Sequence, residues 1–291
     1  MKGSLVGLSL PDLELERQKM SPRKRGHGKG RLTPLQHEIV LCLKEKPMSL
    51  GDLRTRIDAR DTSVLHAMKE LESEKLVHKD TVTHSYSPTS IGYVYAVLLD
   101  QLLRASNVLT EMEDFWLHHD VSGIPERLLM GISALDNATV VRAMPSDLDA
   151  IHTKYLELLK GSTRVDGASP VFHPDFVAAM AEILDRGAQL RVIMTKEVLD
   201  RVREEIKLKD LAKYVKRIII NRSLRVYVRD ALKVGLTVTE KFLSLGLFTL
   251  DGAYDYSVDV MSSQPQALEW GEMLFEYYRA TSERIRFSSV F

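Results

Sequence analysis

The stretch IGYVYAVLLDQLLRASNVLTEMEDFW, residues 91–116, decides how the chain is organised. Apolar side chains recur along it in alternating steps of four and three residues, the spacing of one stripe on a helix that packs along another helix. This apolar stripe consists of Ile91, Tyr95, Leu98, Leu102, Ala105, Leu109, Met112 and Trp116. A helix of this length spans roughly 40 Å, which exceeds the size of a small domain.

A second apolar face on the same helix, with Val94, Leu99 and Val108, predicts that the helix packs on two sides. Two interpretations follow: a long core helix of one helical domain, or a connecting helix that also pairs two subunits. We favour the second, because the chain changes character on either side of the helix. Residues 91–119 are therefore predicted to form a linker and dimerisation helix. The predicted dimer contacts are Leu98, Leu102, Leu109 and Met112.

The composition of the 291 residues excludes several classes of protein. The 40 basic and 40 acidic side chains cancel, so any nucleic-acid surface must come from local clustering of charge. The single cysteine, Cys42, rules out a disulfide framework and fits a reducing cytoplasm; on its apolar helix face we interpret it as core filler. No apolar run approaches about eighteen residues and no signal peptide is recognisable, so no membrane contact is expected.

Residues 1–30 are predicted to form a basic, flexible extension. Its lysines and arginines are interrupted by Pro22, Gly26 and Gly28, which disfavour a regular element. One interpretation is a solvated tail. The other is an arm that lies on DNA phosphates and becomes ordered only on binding.

Residues 31–90 have the pattern of three helices followed by a β-hairpin. Thr33-Pro34-Leu35-Gln36 forms a capping box with proline at the first helical position. Ser49 caps a short second helix, and a third begins near Asp61. The runs 76–79 and 84–87 are β-prone. This order predicts a winged helix-turn-helix that binds DNA.

The third helix of this domain is predicted to expose short polar side chains and one long cation, which suit base edges and phosphates in a major groove. Arginines of the second helix are placed to clamp phosphates, and the hairpin is placed to touch the neighbouring backbone or minor groove. The alternative is that these polar residues only form a solvated helix face. The predicted DNA contacts are Arg54, Arg56, Thr62, Ser63, His66, Lys69, Lys79 and His84.

Residues 120–291 alternate between helical and strand patterns, which predicts an α/β regulatory domain with a sheet that is parallel at first and hairpin-like later. The sequence His118-His119-Asp120 before it is interpreted as a hinge rather than a metal site, because adjacent residues on a helix do not face each other. Ligands of open α/β sheets bind at strand ends. The candidate ligand-binding residues at such ends are Arg142, Ser169, His173, Thr195, Asp251 and Tyr254, with a helix-capping role as the alternative for His173.

Catalytic signatures are missing from this domain, which contains no glycine-rich phosphate loop with a lysine and no elbow serine. His152 and Lys154 suggest a phosphodiesterase motif, but the position that should hold its aspartate is Leu159, and both residues lie on a predicted helix. We therefore expect no enzyme, no cofactor and no metal. The alternatives are a phosphodiesterase-like or hydrolase-like enzyme fused to a winged helix, and a winged helix used only for protein contacts.

The chain resembles a family of archaeal winged-helix transcription regulators whose C-terminal domain is named for methanogenesis and filament regulation. The segments that carry the resemblance are residues 115–125 (FWLHHDVSGIP), 169–176 (SPVFHPDF) and 242–252 (FLSLGLFTLDG). The resemblance implies sequence-specific DNA binding in a cytoplasmic archaeal setting. It also implies that the second domain is a phospholipase-D-like sensor without catalytic residues. Together with the helix pattern, it predicts a homodimer that binds double-stranded DNA and responds to a small-molecule effector.

Overall fold

The computed structural model describes residues 32–143, 149–208 and 223–285, so the predicted basic extension, residues 1–30, lies outside the described residues. The chain divides into two compact units, of which the first ends at Asp100 and the second begins at Gln101. The division falls inside the helix that the sequence assigns to a separate linker. Each unit has its own hydrophobic core.

The N-terminal unit contains three helices and a two-stranded hairpin, in the predicted order. They are α1 (Pro34–Glu45), α2 (Leu50–Arg56), α3 (Asp61–Ser73), β1 (Val77–Lys79) and β2 (Tyr86–Pro88). Both predicted caps are present: Thr33 and Gln36 form a reciprocal capping box at α1, and Ser49 and Asp52 form one at α2. These caps satisfy the free N–H groups at each helix start, which fixes where both helices begin.

The core of this unit is built from one face of each helix, with Ile39, Leu53 and Met68 nearly inaccessible to solvent. Cys42 belongs to the same core, and its burial raises the pKa of the thiol above the ordinary value. The interpretation of Cys42 as core filler is therefore confirmed.

The hairpin is antiparallel, with Lys79 opposite Tyr86. Its turn is closed by Asp80, whose Oδ1 accepts hydrogen bonds from the backbone N–H groups of Val82 (2.7 Å) and Thr83 (2.9 Å). His84 has a positive φ of 54° and lies in this turn, outside the strand in which the β-prone run had placed it. The reason is that the left-handed backbone at His84 interrupts the extended conformation before β2.

The long helix is real but is divided in two at Met112. Helix α4 runs over Ser90–Glu111 and α5 over Glu113–His118, with Met112 between them at φ −113° and ψ 30°. The expectation of one unbroken helix from residue 91 to residue 116 is wrong at this point. Met112 and Phe115 are both buried in the core of the second unit.

The second unit is a nine-stranded mixed sheet with helices on both faces. Its strands are β3 (His119–Asp120), β4 (Thr139–Arg142), β5 (Arg164–Ser169), β6 (Gln189–Thr195), β7 (Leu224–Arg229), β8 (Val234–Thr239), β9 (Leu243–Thr249), β10 (Val258–Ser262) and β11 (Glu283–Ile285). Its described helices are α6 (Glu126–Leu129), α7 (Asp149–Lys160), α8 (Pro174–Asp185), α9 (Lys196–Leu208) and α10 (Pro265–Ala280).

The strand order is β11-β7-β6-β5-β8-β9-β10-β4, and β3 pairs with β9. Strands β5, β6 and β7 are parallel, whereas β8 and β9 form an antiparallel hairpin. This is the predicted mixture of a parallel first part and a hairpin-like second part. The sequence did not predict β3, β10 or β11. Because His119 and Asp120 form β3, they belong to the sheet, and the hinge predicted there is wrong.

Side chains alternate between the two faces of the sheet, as the period of a strand requires. On β6, Val192 packs with α7, α8 and α9, whereas Ile193 packs with α10. Trp270 of α10 is fully buried, and its indole N–H donates to the carbonyl oxygen of Leu128 (2.9 Å). One face of the sheet is therefore closed by α10, and the carboxyl ends of β5 and β6 open toward α7 and α8 on the other.

Candidate functional site

Helix α3 presents a polar face to solvent on the side opposite the core. Thr62, Ser63, His66 and Lys69 are all exposed, whereas Val64, Ala67, Met68 and Leu71 are buried. The structure thus brings the four predicted residues of the third helix together on one surface. Whether they contact DNA stays a prediction.

The cations near this face differ in how they are paired. Lys69 forms no ion pair with a residue that the structure describes, whereas His66 lies 3.2 Å from the carboxylate of Glu70. On α2, Arg56 is bound to Glu45 at 2.6 Å, and Arg54 lies 3.8 Å from Asp61. To bind a DNA phosphate, Arg54 and Arg56 would each have to give up the carboxylate with which they are paired. This loss lowers their net contribution to the free energy of binding.

Two further features of the surface concern the hairpin and the start of α3. Lys79 and His84 are exposed in the hairpin, and the ammonium of Lys79 stands 5.5 Å from the centroid of the Tyr86 ring. Arg60, the residue immediately before α3, is exposed as well, and the sequence reasoning passed over it. The signal that points to it is its position, because a cation at the start of a groove-reading helix lies close to the phosphates.

The apolar stripe on α4 is largely uncovered in a single chain. Its exposed fractions are 68% for Ile91, 61% for Leu98, 65% for Leu102 and 49% for Leu109. Met112 differs, because it is only 5% exposed and packs in the core of the second unit. We therefore remove Met112 from the proposed dimer contacts and retain Leu98, Leu102 and Leu109.

A cavity of about 150 Å³ lies in the second unit, at the carboxyl ends of β5 and β6. Its wall includes residues of the helices α7 and α8 and of the strands β8, β9 and β10. The side chains that give it chemical character are those of Tyr155, Ser169, His173, Phe176, Thr237, Ser244, Tyr254, Asp255, Tyr256 and Asp259. The position agrees with the rule that ligands of open α/β sheets bind beyond the carboxyl ends of parallel strands.

Three of the six candidate ligand-binding residues line this cavity: Ser169, His173 and Tyr254. His173 is also the cap of α8, because its Nδ1 accepts a hydrogen bond from the backbone N–H of Asp175 (3.2 Å). The alternative interpretation of His173 as a helix cap is therefore confirmed, and it is compatible with a place in the cavity wall.

The other three candidates do not line the cavity, and each has a structural role. Arg142 is exposed and paired with Asp114. The hydroxyl of Thr195 accepts a hydrogen bond from the backbone N–H of Val198 at the start of α9 (3.3 Å). Asp251 lies in an exposed turn, where the hydroxyl of Thr249 donates to it. Strand ends alone did not show which side of the sheet each side chain faces.

A pair of glycines makes room for the aromatic wall of the cavity. Gly235 of β8 and Gly246 of β9 lie opposite each other, and a Cβ atom on them would fall 2.1 Å and 2.3 Å from the hydroxyl oxygen of Tyr254. The Tyr254 ring therefore lies directly on the backbone of the hairpin. These glycines were missed because the register of β8 and β9, which brings them together, is not visible in the sequence.

Asp259 is a half-buried acid in the wall of the cavity. Burial raises the pKa of its carboxyl to about 6, although the hydroxyl of Ser244 donates a hydrogen bond to it (3.0 Å) and favours the ionised form. Asp255 behaves differently. Burial raises the pKa of its carboxyl, but hydrogen bonds from Ser257 and the contact with His119 outweigh burial and hold the pKa below the ordinary value. Nδ1 of His119 lies 2.7 Å from the carbonyl oxygen of Phe115 and Nε2 lies 3.3 Å from Oδ2 of Asp255, so the ring bridges the cavity wall and α5.

The raised pKa of Asp259 predicts that Asp259→Asn stabilises the protein at neutral pH. A carboxyl with a raised pKa in the folded state adds stability below its ordinary pKa and loses it as the pH rises through about 6. The loss amounts to about 3 kcal/mol at most, so Asn should recover up to that amount at pH 7. Urea unfolding at about pH 4 and about pH 7 measures this. An unchanged difference between the two pH values in the variant would contradict the expectation.

The described part of the structure adds no residue that supports the alternative of a phosphodiesterase-like or hydrolase-like enzyme. His152 and Lys154 lie on α7, as the sequence predicted, although their side chains are outside the described part of the chain. Leu159, at the position of the missing aspartate, is buried in the core. Within residues 32–143, 149–208 and 223–285, no cluster of three or more metal-ligating side chains occurs, and no helix is long and apolar enough to span a membrane.

The chain thus combines a unit of three helices and a β-hairpin with a mixed α/β unit that contains a cavity of about 150 Å³. Residues 31–107 match the family model "Methanogenesis regulatory protein FilR1, N-terminal domain", and residues 148–281 match the model of its middle domain. Two stretches of the chain are therefore similar to the N-terminal and middle domains of the FilR1 family of methanogenesis regulatory proteins. The resemblance in the sequence suggested a C-terminal domain, whereas the matching model describes a middle one.

A curated relative supports the same family. The methanogenesis regulatory protein FilR1 of Methanothrix harundinacea (strain 6Ac) is 30% identical over 253 residues, which is 86% of this chain and 56% of the relative. The chain thus spans little more than half the length of that relative.

Two solved structures are similar at a coarser level. TrmBL2, an archaeal chromatin protein, is 16% identical, with a TM-score of 0.40 over 87% of this chain and 95% of its own. NucT from Helicobacter pylori is 13% identical, with a TM-score of 0.38 over 51% of this chain and 99% of its own. TM-scores of this size do not decide the function or the detailed fold of the chain.

Proposed function

We propose that the protein is a transcription regulator that binds DNA through its N-terminal unit, pairs with a second copy through α4, and senses a small molecule in its α/β unit. The observation that carries the proposal is the exposed polar face of α3 in a unit that matches the N-terminal domain of a regulatory protein. Such a face, braced by α1 and α2, is the shape that enters a major groove. The proposal includes no catalytic role.

The test of DNA binding is a titration of the full chain with DNA duplexes over a range of salt concentrations. We expect the affinity to fall steeply with salt, since binding through lysine and arginine releases counterions from the phosphates. Affinity that does not depend on salt contradicts the proposal. The absence of any mobility shift with duplex DNA would instead favour a winged helix used for protein contacts.

The dimer is supported by the uncovered apolar stripe. Leu98 and Leu102 are each more than half exposed on one face of α4 and lie four residues apart, about one helical turn. Large apolar side chains in a row on a helix are costly in water and are typical of a helix that packs along a second one.

Leu98→Glu combined with Leu102→Glu is expected to weaken self-association at least a hundredfold, because four carboxylates would face each other in the dimer. Sedimentation velocity over a range of concentrations measures the change. The matched control is Met273→Glu, which changes an exposed apolar residue of α10 and should leave the association unchanged. A wild-type chain that sediments as a monomer contradicts the proposed dimer.

The sensing role is supported by the position of Asp255. It lines the cavity, and its Oδ2 is 3.3 Å from Nε2 of His119, which directly follows α5. A ligand that binds Asp255 would therefore change the surroundings of His119 at the end of α5. We also propose that the unit is a phospholipase-D-like domain without catalytic residues, supported by the leucine at position 159.

A further inference from the structure

The cavity of the α/β unit has the chemistry of a site for a cation. Two carboxylates, Asp255 and Asp259, belong to its wall, and no lysine or arginine is among the lining side chains that the structure describes. We propose that this cavity binds a small organic cation, a protonated or quaternary amine of about six non-hydrogen atoms. A cavity of about 150 Å³ holds a ligand of the size of benzene. The proposal deepens the sensing role suggested above and rests on it for its biological meaning only.

The two carboxylates differ in how many polar partners they already have. Asp255 is occupied by hydrogen bonds from Ser257 to Oδ1 and by His119 at Oδ2. Asp259 receives one hydrogen bond, from Ser244 to Oδ2, and no described residue pairs it with a positive charge. Burial of an ionised carboxylate without a cation is costly, so a cationic ligand removes a penalty that the empty cavity carries.

The aromatic rings of the cavity add a second, independent feature. Tyr155 and Phe176 form an edge-to-face pair at 5.5 Å, and Tyr254 and Tyr256 form another at 5.1 Å. The faces of such rings attract ammonium groups, and aromatic cages are the usual binding sites of quaternary ammonium ligands. Burial raises the pKa of the Tyr254 phenol well above its ordinary value, so the ring stays neutral. Its hydroxyl makes no hydrogen bond within the described part of the chain and lies at the cavity.

The charge and the apolar side chains of the cavity wall disfavour anions and hydrated metal ions as ligands. An anionic ligand would meet the carboxylates of Asp255 and Asp259 without a compensating cation among the described lining residues. The apolar side chains of Val171, Met180 and Val192 suit the methyl or methylene groups of an organic amine better than a hydrated metal ion.

The test uses three probes of matched size and different charge: n-butylammonium, n-butanol and butyrate. The full chain is titrated with each by calorimetry at constant ionic strength, with tetramethylammonium as a fourth probe. We expect saturable binding of one organic cation per chain, at least tenfold tighter than the binding of n-butanol, and no binding of butyrate. Equal binding of all three probes, binding of butyrate, or binding of Mg²⁺ or Ca²⁺ in place of the amines overturns the proposal.

Two variants assign the binding to this cavity. Asp259→Asn should weaken binding of the cation at least tenfold while the affinity for n-butanol stays unchanged. Urea unfolding of this variant at pH 7 checks that it is folded. Tyr254→Leu, which removes the ring face, should also weaken the cation, whereas Tyr254→Phe should retain most of the affinity. Undiminished cation binding by Asp259→Asn overturns the proposal. If the chain binds the cation but does not bind DNA, the proposed function as a transcription regulator is wrong, whereas the proposed cation site is still supported.

Discussion

Simultaneous replacement of Thr62, Ser63, His66 and Lys69 by alanine is expected to lower the specific affinity for DNA about a thousandfold or more. Specific contacts typically account for about 4 kcal/mol or more over non-specific binding, and all four side chains lie on the exposed face of α3. The substitutions leave the buried face of α3 intact, and alanine favours a helix, so the fold should persist. Fluorescence anisotropy with a selected duplex measures the affinity.

A single substitution at Lys69 tests the contribution of one positive charge in the same experiment. Lys69→Ala should weaken binding to all sequences by a similar factor and reduce the dependence on salt by about one phosphate contact per subunit. The matched control is Lys196→Ala, since Lys196 is an exposed lysine of the other unit, paired with Asp230. If the fourfold alanine variant binds DNA as tightly as the wild type, α3 is not the recognition helix.

Gly92→Ala is expected to destabilise the N-terminal unit by about 3 kcal/mol or more. A Cβ atom on Gly92 would lie 1.8 Å from the carbonyl oxygen of Leu76, and this carbonyl already accepts a hydrogen bond from the N–H of Thr89 (2.9 Å). Because the obstacle is backbone, no rotamer change relieves it, and α4 must move away from Leu76, which directly precedes β1. Urea unfolding followed by circular dichroism measures the loss.

Gly51→Ala is the control for this prediction. Gly51 is also a helical glycine of the N-terminal unit, but a Cβ atom there meets only the hydroxyl of Ser49, at 3.6 Å. Alanine in a helix is favoured over glycine by up to about 1 kcal/mol, so Gly51→Ala should be neutral or stabilising. Equal effects of the two substitutions would show that the close approach at Gly92 does not decide how α4 packs.

Much of the N-terminal unit follows from its sequence, because local signals specify it. Capping at Thr33 and Ser49, together with helical periodicity, places the helices to within a few residues of their observed bounds. One error concerns tertiary packing and one concerns local backbone. The stripe predicts one helix through Met112, but Met112 belongs to the core of the second unit and the helix is interrupted there. His84 adopts a positive φ in the hairpin turn, which its β-prone run did not indicate.

The candidate site in the second unit was only partly predictable. Strand ends led to Ser169 and His173, which line the cavity because the parallel arrangement of β5 and β6 brings such ends to one edge of the sheet. Their role in ligand binding stays a prediction. Asp259 was missed since its strand β10 is short and pairs on one side with β4, which lies far earlier in the chain. Tyr254 does line the cavity, but the glycines that admit it depend on strand register, and register is a property of the folded sheet.

In the proposed dimer, two copies of the chain present two α3 helices to one DNA duplex. Hydroxyl-radical footprinting of the full chain on a duplex selected from a random pool is the decisive experiment. We expect two protected segments, related by two-fold symmetry and centred about 34 Å apart or a multiple of that distance. A single protected segment, or no protection at concentrations that saturate the duplex, would contradict it.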